Sequence, residues 1–406
     1  MNVTSLQFAD RWLGVPLCFL LTGWRKLTGR AAPDCSCPPR RILFVKLAEQ
    51  GSTVLAYAAL RRAVEIAGRE NVYFIALDNN RFILDVLGII PEANVVTVPY
   101  QNFASLALGG LSAIRRLRAL DLDAAIDMEF FSRGSAALSF LTGARRRVGF
   151  HPFFQAGPYR GDLMTHRLLY NAHLHTGDTF LSLVEAVLRD PATLPTFDWR
   201  PAAAEDALPP FVPQAGEVTE MRELLRRETG GLPPLILLNA NTSDLLPLRR
   251  WPGERYVELA RRLLAQFPEV HVGFTGSPEE TAAGAELARQ VGSPRCVSLA
   301  GKTTLRELLV LYTMARVLVT NDSGPAHFAT LTPVRVVTLF GPETPLLFAA
   351  RTPRNTVLWA GIACSPCVNA YNSRQSPCRD NQCMKAISVE QVFAATSRAY
   401  EQGVDK

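Results

Sequence analysis

Apolar residues along this chain gather into short unbroken runs separated by longer stretches of helical period. The runs fall at 41–47 (RILFVKL), 71–77, 94–98 and 124–128, and again at 235–239 (LILLN), 270–275, 296–299, 317–320 and 335–340. An unbroken apolar run of strand length suits a strand buried on both faces, as in a parallel sheet. Between the runs lie helical patterns at 54–68, 134–141, 253–266 and 305–314, and a last one begins at Ser388, where Gln391 completes a capping box. Strand and helix alternation predicts doubly wound α/β sheets. The alternation lapses in a polar, proline-containing stretch at 201–216 and then restarts. Two Rossmann-like domains are therefore expected, over 40–205 and 215–387, followed by a C-terminal helix at 388–406 that crosses back to the first domain.

The first thirty-nine residues stand outside this pattern. Residues 12–24 read WLGVPLCFLLTGW, with Arg11 before them and Arg25, Lys26 and Arg30 after. A spanning helix needs about 20 apolar residues, and this shorter run contains Gly14, Pro16 and Gly23. Its positive charge is heavier after the run than before it, the reverse of a signal peptide. Two readings fit: an amphipathic helix at the membrane interface, with Trp12, Leu13, Leu17, Phe19, Leu20 and Trp24 in the headgroup region and the basic residues on anionic lipid, or an arm packed on the protein's own surface. Residues 31–40, AAPDCSCPPR, read as a linker.

Composition narrows the function classes. With 406 residues, 48% apolar and 20% charged, the chain has material for two cores. A net charge of +6 favours anionic partners without choosing among them. No zinc-finger, RNP or basic-zipper pattern supports nucleic acid.

Ligands of doubly wound sheets bind at the carboxyl ends of the strands, so the loops there carry the candidate chemistry. After the first run comes AEQGST, in which Gly51 is expected to turn the chain into a helix N-terminus. After 235–239 come Thr242, Ser243, Arg249 and Arg250, hydroxyls and guanidiniums suited to phosphate oxygens. After 270–275 come Glu279 and Glu280, placed to hold ribose hydroxyls. After 317–320 comes NDSGPAH, where Asp322 or Ser323 can cap a helix, Gly324 admits close backbone approach, and His327 lies one turn in. Each element alone is an ordinary turn, cap or solvated first-turn residue; on successive loops of one sheet they point to a nucleotide-diphosphate site.

These pieces resemble glycosyltransferase family 9, the lipopolysaccharide heptosyltransferases. The matching segments are RILFVKLAEQGSTVL, RRWPGERYVELARRLL, LAGKTTLRELL, VTNDSGPAHFATLTPVRVVTLFGP and the late C-x2-C…C-x4-CM, in the family's order over roughly 40–395. The resemblance implies a GT-B arrangement of two facing Rossmann-like domains, the donor held by the C-terminal one and the acceptor by the N-terminal one. It implies metal-independent transfer from a nucleotide sugar such as ADP-heptose to a lipid-linked core glycan, without a cofactor, in the cytoplasm and peripheral to the inner membrane. It places Thr242, Ser243, Arg249 (where the family has Lys), Glu280, Asp322, Ser323, Gly324 and His327 in the donor site. One departure matters. Where the family has Gly-Asp, its proposed base, this chain has Gly51-Ser52. A serine hydroxyl at its ordinary pKa is no general base; Glu49, three residues earlier, is the candidate.

Cys364, Cys367, Cys378 and Cys383 form C-x2-C-x10-C-x4-C. Four thiolates so spaced can hold structural zinc, but a packed reduced cluster or a disulfide fits as well, and no metal is expected. Two other functions stand beside the transferase: a non-catalytic nucleotide-sugar or glycolipid binding protein, motivated by Ser52, and a dehydrogenase, which lacks its G-x-G-x-x-G after Leu47.

Overall fold

Each apolar run becomes a strand, and all of the strands pair in parallel. The computed structural model describes residues 3–29, 34–153, 157–199, 208–242 and 246–404. The chain divides into two units, Met1–Ala204 with Val368–Gln375, and Glu205–Cys367 with Ser376–Lys406.

The first unit carries β1 (Ile42–Val45), β2 (Val72–Leu77), β3 (Val95–Val98), β4 (Ala124–Asp127), β5 (Arg146–Phe150) and β6 (His166–Leu168), in the order β3-β2-β1-β4-β5-β6. The second carries β7 (Leu235–Asn239), β8 (His271–Phe274), β9 (Cys296–Ser298), β10 (Val317–Asn321), β11 (Arg335–Phe340) and β12 (Asn355–Trp359), in the order β12-β11-β10-β7-β8-β9. The central strands are buried throughout, and the pairing is in register, for example Ile42↔Ala124 and Val317↔Ile236. In both sheets the chain moves outward from the first strand in one direction, then returns to pair on its other side. The strand order therefore reverses between β1 and β4 and between β7 and β10, and the loops leaving those strands flank a crevice suited to a ligand.

Helices pack where the 3.6-residue period places them. Gly253–Gln266 turns Tyr256, Leu259, Ala260 and Leu263 into the second core. The capping box at Ser388 forms, with the Ser388 amide donating to Gln391 Oε1 at 2.9 Å and the Gln391 amide to Ser388 Oγ at 3.2 Å. The helix it opens, Val389–Val404, does not cross to the first unit. It lies with the second, where Val389, Val392, Ala395, Ala399 and Tyr400 join the core. The chain returns to the first unit through Val368–Gln375 instead.

The N-terminal arm forms helices Val3–Trp12 and Gly14–Leu27 and belongs to the first unit. Cys18 and Leu21 pack against Ala136, Ala137, Phe140, Leu163 and Met164. Asp10 Oδ1 accepts the backbone N–H groups of Arg133 (2.9 Å) and Gly134 (2.8 Å), which open the helix Arg133–Leu141, the end of a helix that favours an anion. Arg25 pairs with Asp162. Gly14 is required at its contact, because a Cβ there would stand 2.7 Å from Cβ of Arg133. The arm packs on the protein's own surface, and it also exposes an apolar face: Trp12, Leu13, Phe19, Leu20, Trp24 and Leu27 are all more than 60% exposed. Among the described residues no helix is long and apolar enough to cross a membrane.

Candidate functional site

In the second unit, Asn321 at the end of β10 ties its own loop to the loop after β7 and to the helix that follows that loop. Its Oδ1 accepts the Trp251 amide (3.0 Å) and the Tyr256 hydroxyl (3.2 Å), and its Nδ2 donates to the Asn241 carbonyl at 3.1 Å. Trp251 is fully buried, and its indole N–H donates to the Ile387 carbonyl. This bracing sets the loop after β7 beside the loop after β10, on either side of the point where strand order reverses. Thr242 and Asp322 are buried there, and among the described residues neither the Thr242 hydroxyl nor Asp322 Oδ2 has a hydrogen-bond partner. Buried polar groups of this kind are ordinarily satisfied, and their orphaning in a native fold asks for a ligand or water.

Arg249 reaches into the same place. Its Nη1 lies 3.7 Å from Asp322 Oδ2 and 3.4 Å from Glu343 Oε2, and the two carboxylate side chains are only 3% and 2% exposed. Glu343 follows β11 and completes the cluster; sequence reasoning missed it. Its only signal is an acidic residue between Pro342 and Pro345, in a loop at the carboxyl end of a strand. His327 is buried on the short helix Gly324–Ala329. Ser323 stands at that helix's N-cap position without capping it: its hydroxyl donates instead to the Asn321 carbonyl at 3.2 Å. Glu280 is used locally as well. Its Oε2 accepts the Ser277 amide at 2.7 Å in a capping box for its own helical turn. Ser243 lies outside the described residues.

The corresponding place in the first unit differs from expectation in one detail. Gly51 is not the turning residue; it lies inside the first turn of the helix Gln50–Leu55. The left-handed position falls on Glu49, at φ 68° and ψ 76°. Such backbone costs a non-glycine residue roughly 1–2 kcal/mol and persists only where surroundings impose it. Glu129, in the loop after β4, imposes it from across the crevice. Its Oε1 accepts the backbone amides of Leu47 (2.7 Å) and Ala48 (2.9 Å) and lies 3.7 Å from the buried Lys46 ammonium. Lys46 Nζ also donates to the Ala48 carbonyl at 2.9 Å and approaches Glu49 Oε2 at 3.9 Å. The Ser52 hydroxyl lies 2.9 Å from the Glu49 carbonyl oxygen and 3.3 Å from Oε2. Ser52 and Glu49 are thus brought together, and the only carboxylate of that turn is Glu49, 22% exposed and paired with Arg374.

Residues 111–376 match glycosyltransferase family 9 (heptosyltransferase). The chain belongs to that family. Lipopolysaccharide heptosyltransferase 2 of Salmonella typhimurium is 35% identical over 102 residues, 24% of this chain and 29% of that enzyme. The aligned part thus spans less than a third of that relative's length. Among solved structures, E. coli ADP-heptose lipopolysaccharide heptosyltransferase II superposes with a TM-score of 0.65 at 19% identity, covering 89% of this chain and 99% of the other. A family 9 glycosyltransferase from Veillonella parvula gives 0.66 at 18% identity, covering 89% and 97%. These likenesses establish the two-domain α/β GT-B fold.

Beside the loops of Arg249 and Glu343, a cavity of this family 9 chain is lined by Leu248, Pro342 and the C-terminal cysteines. Cys364, Cys367, Cys378 and Cys383 line this one cavity, of about 320 Å³. Among the described residues no three His, Cys, Asp or Glu side chains are grouped as a metal site. Burial pushes the Cys383 thiol up to about 11, so it stays protonated and poorly nucleophilic near neutral pH.

Proposed function

We propose that this chain transfers a heptose from a nucleotide-diphosphate donor, ADP-heptose, to a hydroxyl of a lipid-linked lipopolysaccharide core glycan. The observation that carries this reading is the assembly of Thr242, Arg249, Asp322 and His327 at the strand-order reversal of the second sheet, in a chain of family 9. Arg249 and the Thr242 hydroxyl are suited to the diphosphate, as Ser243 is by its side chain. Gly324 allows close backbone approach. Glu280 and the buried acids offer acceptors for ribose and sugar hydroxyls. In the first unit Glu49 takes the proton of the acceptor hydroxyl; its oxygen attacks the anomeric carbon, the bond from that carbon to the phosphate oxygen breaks, and the nucleotide diphosphate leaves with the electron pair. The growing charge on the leaving group is met by Arg249 and hydroxyls already in place. In this scheme no metal ion takes part in the transfer.

The test is a titration of the purified protein with ADP-heptose, ADP, UDP-sugars and GDP-sugars, repeated on Asp322→Ala, together with a transfer assay with and without chelator. Selective adenine-nucleotide binding, lost by at least tenfold in the variant, and chelator-resistant transfer are expected. Selective UDP- or GDP-sugar binding would replace the donor; donor binding without transfer would make the chain a binding protein.

The acceptor's lipid gives the exposed face of the arm a partner. We infer that Trp12, Phe19, Leu20 and Trp24 enter the headgroup region of an anionic bilayer, with Arg11 and Lys26 adding roughly 1 kcal/mol each near the charged surface. The protein is expected to co-sediment with phosphatidylglycerol-containing vesicles more than with neutral ones, and the Phe19→Ser/Trp24→Ser double variant to lose most of that binding. Equal recovery of variant and parent with anionic vesicles would refute the membrane role.

A further inference from the structure

Residues 368–375 arrive from the C-terminal half of the sequence and are built into the first unit. Ala370 joins the first core, and the Tyr371 ring stands 5.5 Å from Phe131 and 5.3 Å from Tyr170, its hydroxyl donating to the Tyr170 carbonyl. Asn369 and Asn372 exchange hydrogen bonds, each backbone amide donating to the other's side-chain oxygen at 3.0 and 3.2 Å. The Arg374 amide donates to the Asn369 carbonyl at 2.9 Å. This closed turn holds Ser373 and Arg374 both at φ 55°, left-handed and neither a glycine. From this turn the Arg374 guanidinium pairs with Glu49 Oε1. Three strained non-glycine residues, from segments 325 positions apart, therefore lie at or beside this ion pair. Strain of this kind is kept where the surroundings over-determine it, and functional sites are where it collects.

We propose that Arg374 is a positioning residue for the transfer, holding the Glu49 carboxylate ionised and oriented; this rests on the reading of Glu49 as the base. Arg374 engages Oε1, and Oε2 is the other oxygen of the base. It faces the Ser52 hydroxyl at 3.3 Å and Lys46 Nζ at 3.9 Å, and Lys46 is shared with Glu129. Glu49 and Arg374 side chains are each 22% exposed, so the pair is reachable by an acceptor hydroxyl while remaining partly shielded. A cation in contact with a carboxylate favours its charged form. Arg374 thus extends the base's working range toward lower pH, and the turn at 369–374 fixes the direction from which the proton is taken.

The experiment is the pH profile of kcat/KM for transfer in the parent, Arg374→Gln, Arg374→Lys and Glu49→Gln, with donor Kd measured alongside. Arg374→Gln is expected to move the acid limb up by about one pH unit. Its activity then falls most at low pH, and a smaller deficit from lost orientation remains at high pH. Arg374→Lys keeps the charge without the fixed fork and is expected to restore most of the limb position, and donor Kd stays unchanged throughout. An acid limb that Arg374→Gln leaves in place, or a loss equal at every pH, would overturn the positioning role. Full turnover in Glu49→Gln would instead remove the base reading itself, whatever the arginine variants do. Loss of turnover in Glu49→Gln with an unmoved limb in Arg374→Gln would remove the positioning role alone.

Discussion

Glu49→Gln is expected to lower transfer by about 10²–10⁴-fold, the usual worth of a positioned general base, while leaving donor affinity within twofold. The substitution keeps size and shape but cannot accept a proton at neutral pH. It forfeits an ion pair that is about a fifth exposed; partly solvated pairs contribute on the order of 1 kcal/mol or less, so the fold is expected to survive. The donor cluster of Thr242, Arg249 and Asp322 belongs to the other unit, which is why donor binding serves as the internal control. Turnover within tenfold of the parent would show that Glu49 is not the base. The same variant separates two meanings of Ser52. If the Ser52 hydroxyl acts through the Glu49 carboxylate, Ser52→Ala should leave the Glu49→Gln background unchanged; if it braces the turn through the Glu49 carbonyl, Ser52→Ala should cost the same in both backgrounds.

How far such an assignment was legible in sequence depends on the range of the interaction. The central strands β1, β4, β7 and β10 were readable because burial on both faces leaves an unbroken apolar run. The strands β5, β6 and β12 escaped: β5 opens on Arg146 and Arg147, whose charges interrupt the apolar run although both are buried, while β6 and β12 lie at sheet edges, β6 alternating buried with exposed residues and β12 only half-buried. Helix 253–266 and the Ser388 cap were readable because both are local, fixed by a 3.6-residue period and by a three-residue spacing. The motif Asp322-Ser323-Gly324 located its loop correctly but not its hydrogen bonds, since Ser323 turns back to Asn321 rather than capping forward. The residue types of the turn leave Glu49 as its one carboxylate, but its left-handed backbone has no local signature, and Gly51 marks the turn two residues too far along. Glu343 and Arg374 were silent. Each acquires meaning only from partners 94 and 325 positions away, and periodicity over a short window carries no record of such pairings.

Arg160→Met is expected to remove about 3–5 kcal/mol of stability, the cost of leaving one member of a buried ion pair without the other. Asp127 ends β4 and is fully buried; Arg160 is 1% exposed and pairs with its Oδ2. The Ser135 hydroxyl donates to the same oxygen at 2.9 Å, and the Glu129 amide donates to Oδ1 at 3.0 Å. The pair therefore lies directly beneath the loop whose Glu129 shapes the Glu49 turn. Burial pushes the Asp127 carboxyl from its ordinary 3.8 up to about 6, against the opposing pull of Arg160. A carboxyl raised in the fold favours the folded state most below 3.8, where both states are protonated or the fold holds its proton more tightly, and that advantage is lost as pH rises through 6. Without Arg160 the folded value moves higher still, so the loss extends to higher pH. The deficit of Arg160→Met, measured by urea denaturation, should accordingly be smaller at pH 5 than at pH 8. Equal deficits would mean that Arg160 acts through the Phe150 and Glu129 carbonyls, which it approaches at 3.3 and 3.4 Å, and not through charge. The double variant Asp127→Asn/Arg160→Met decides between these. If the uncompensated carboxylate is the cost, removing it restores stability at pH 8 above that of Arg160→Met alone; if the carbonyl contacts are the cost, the second substitution restores nothing.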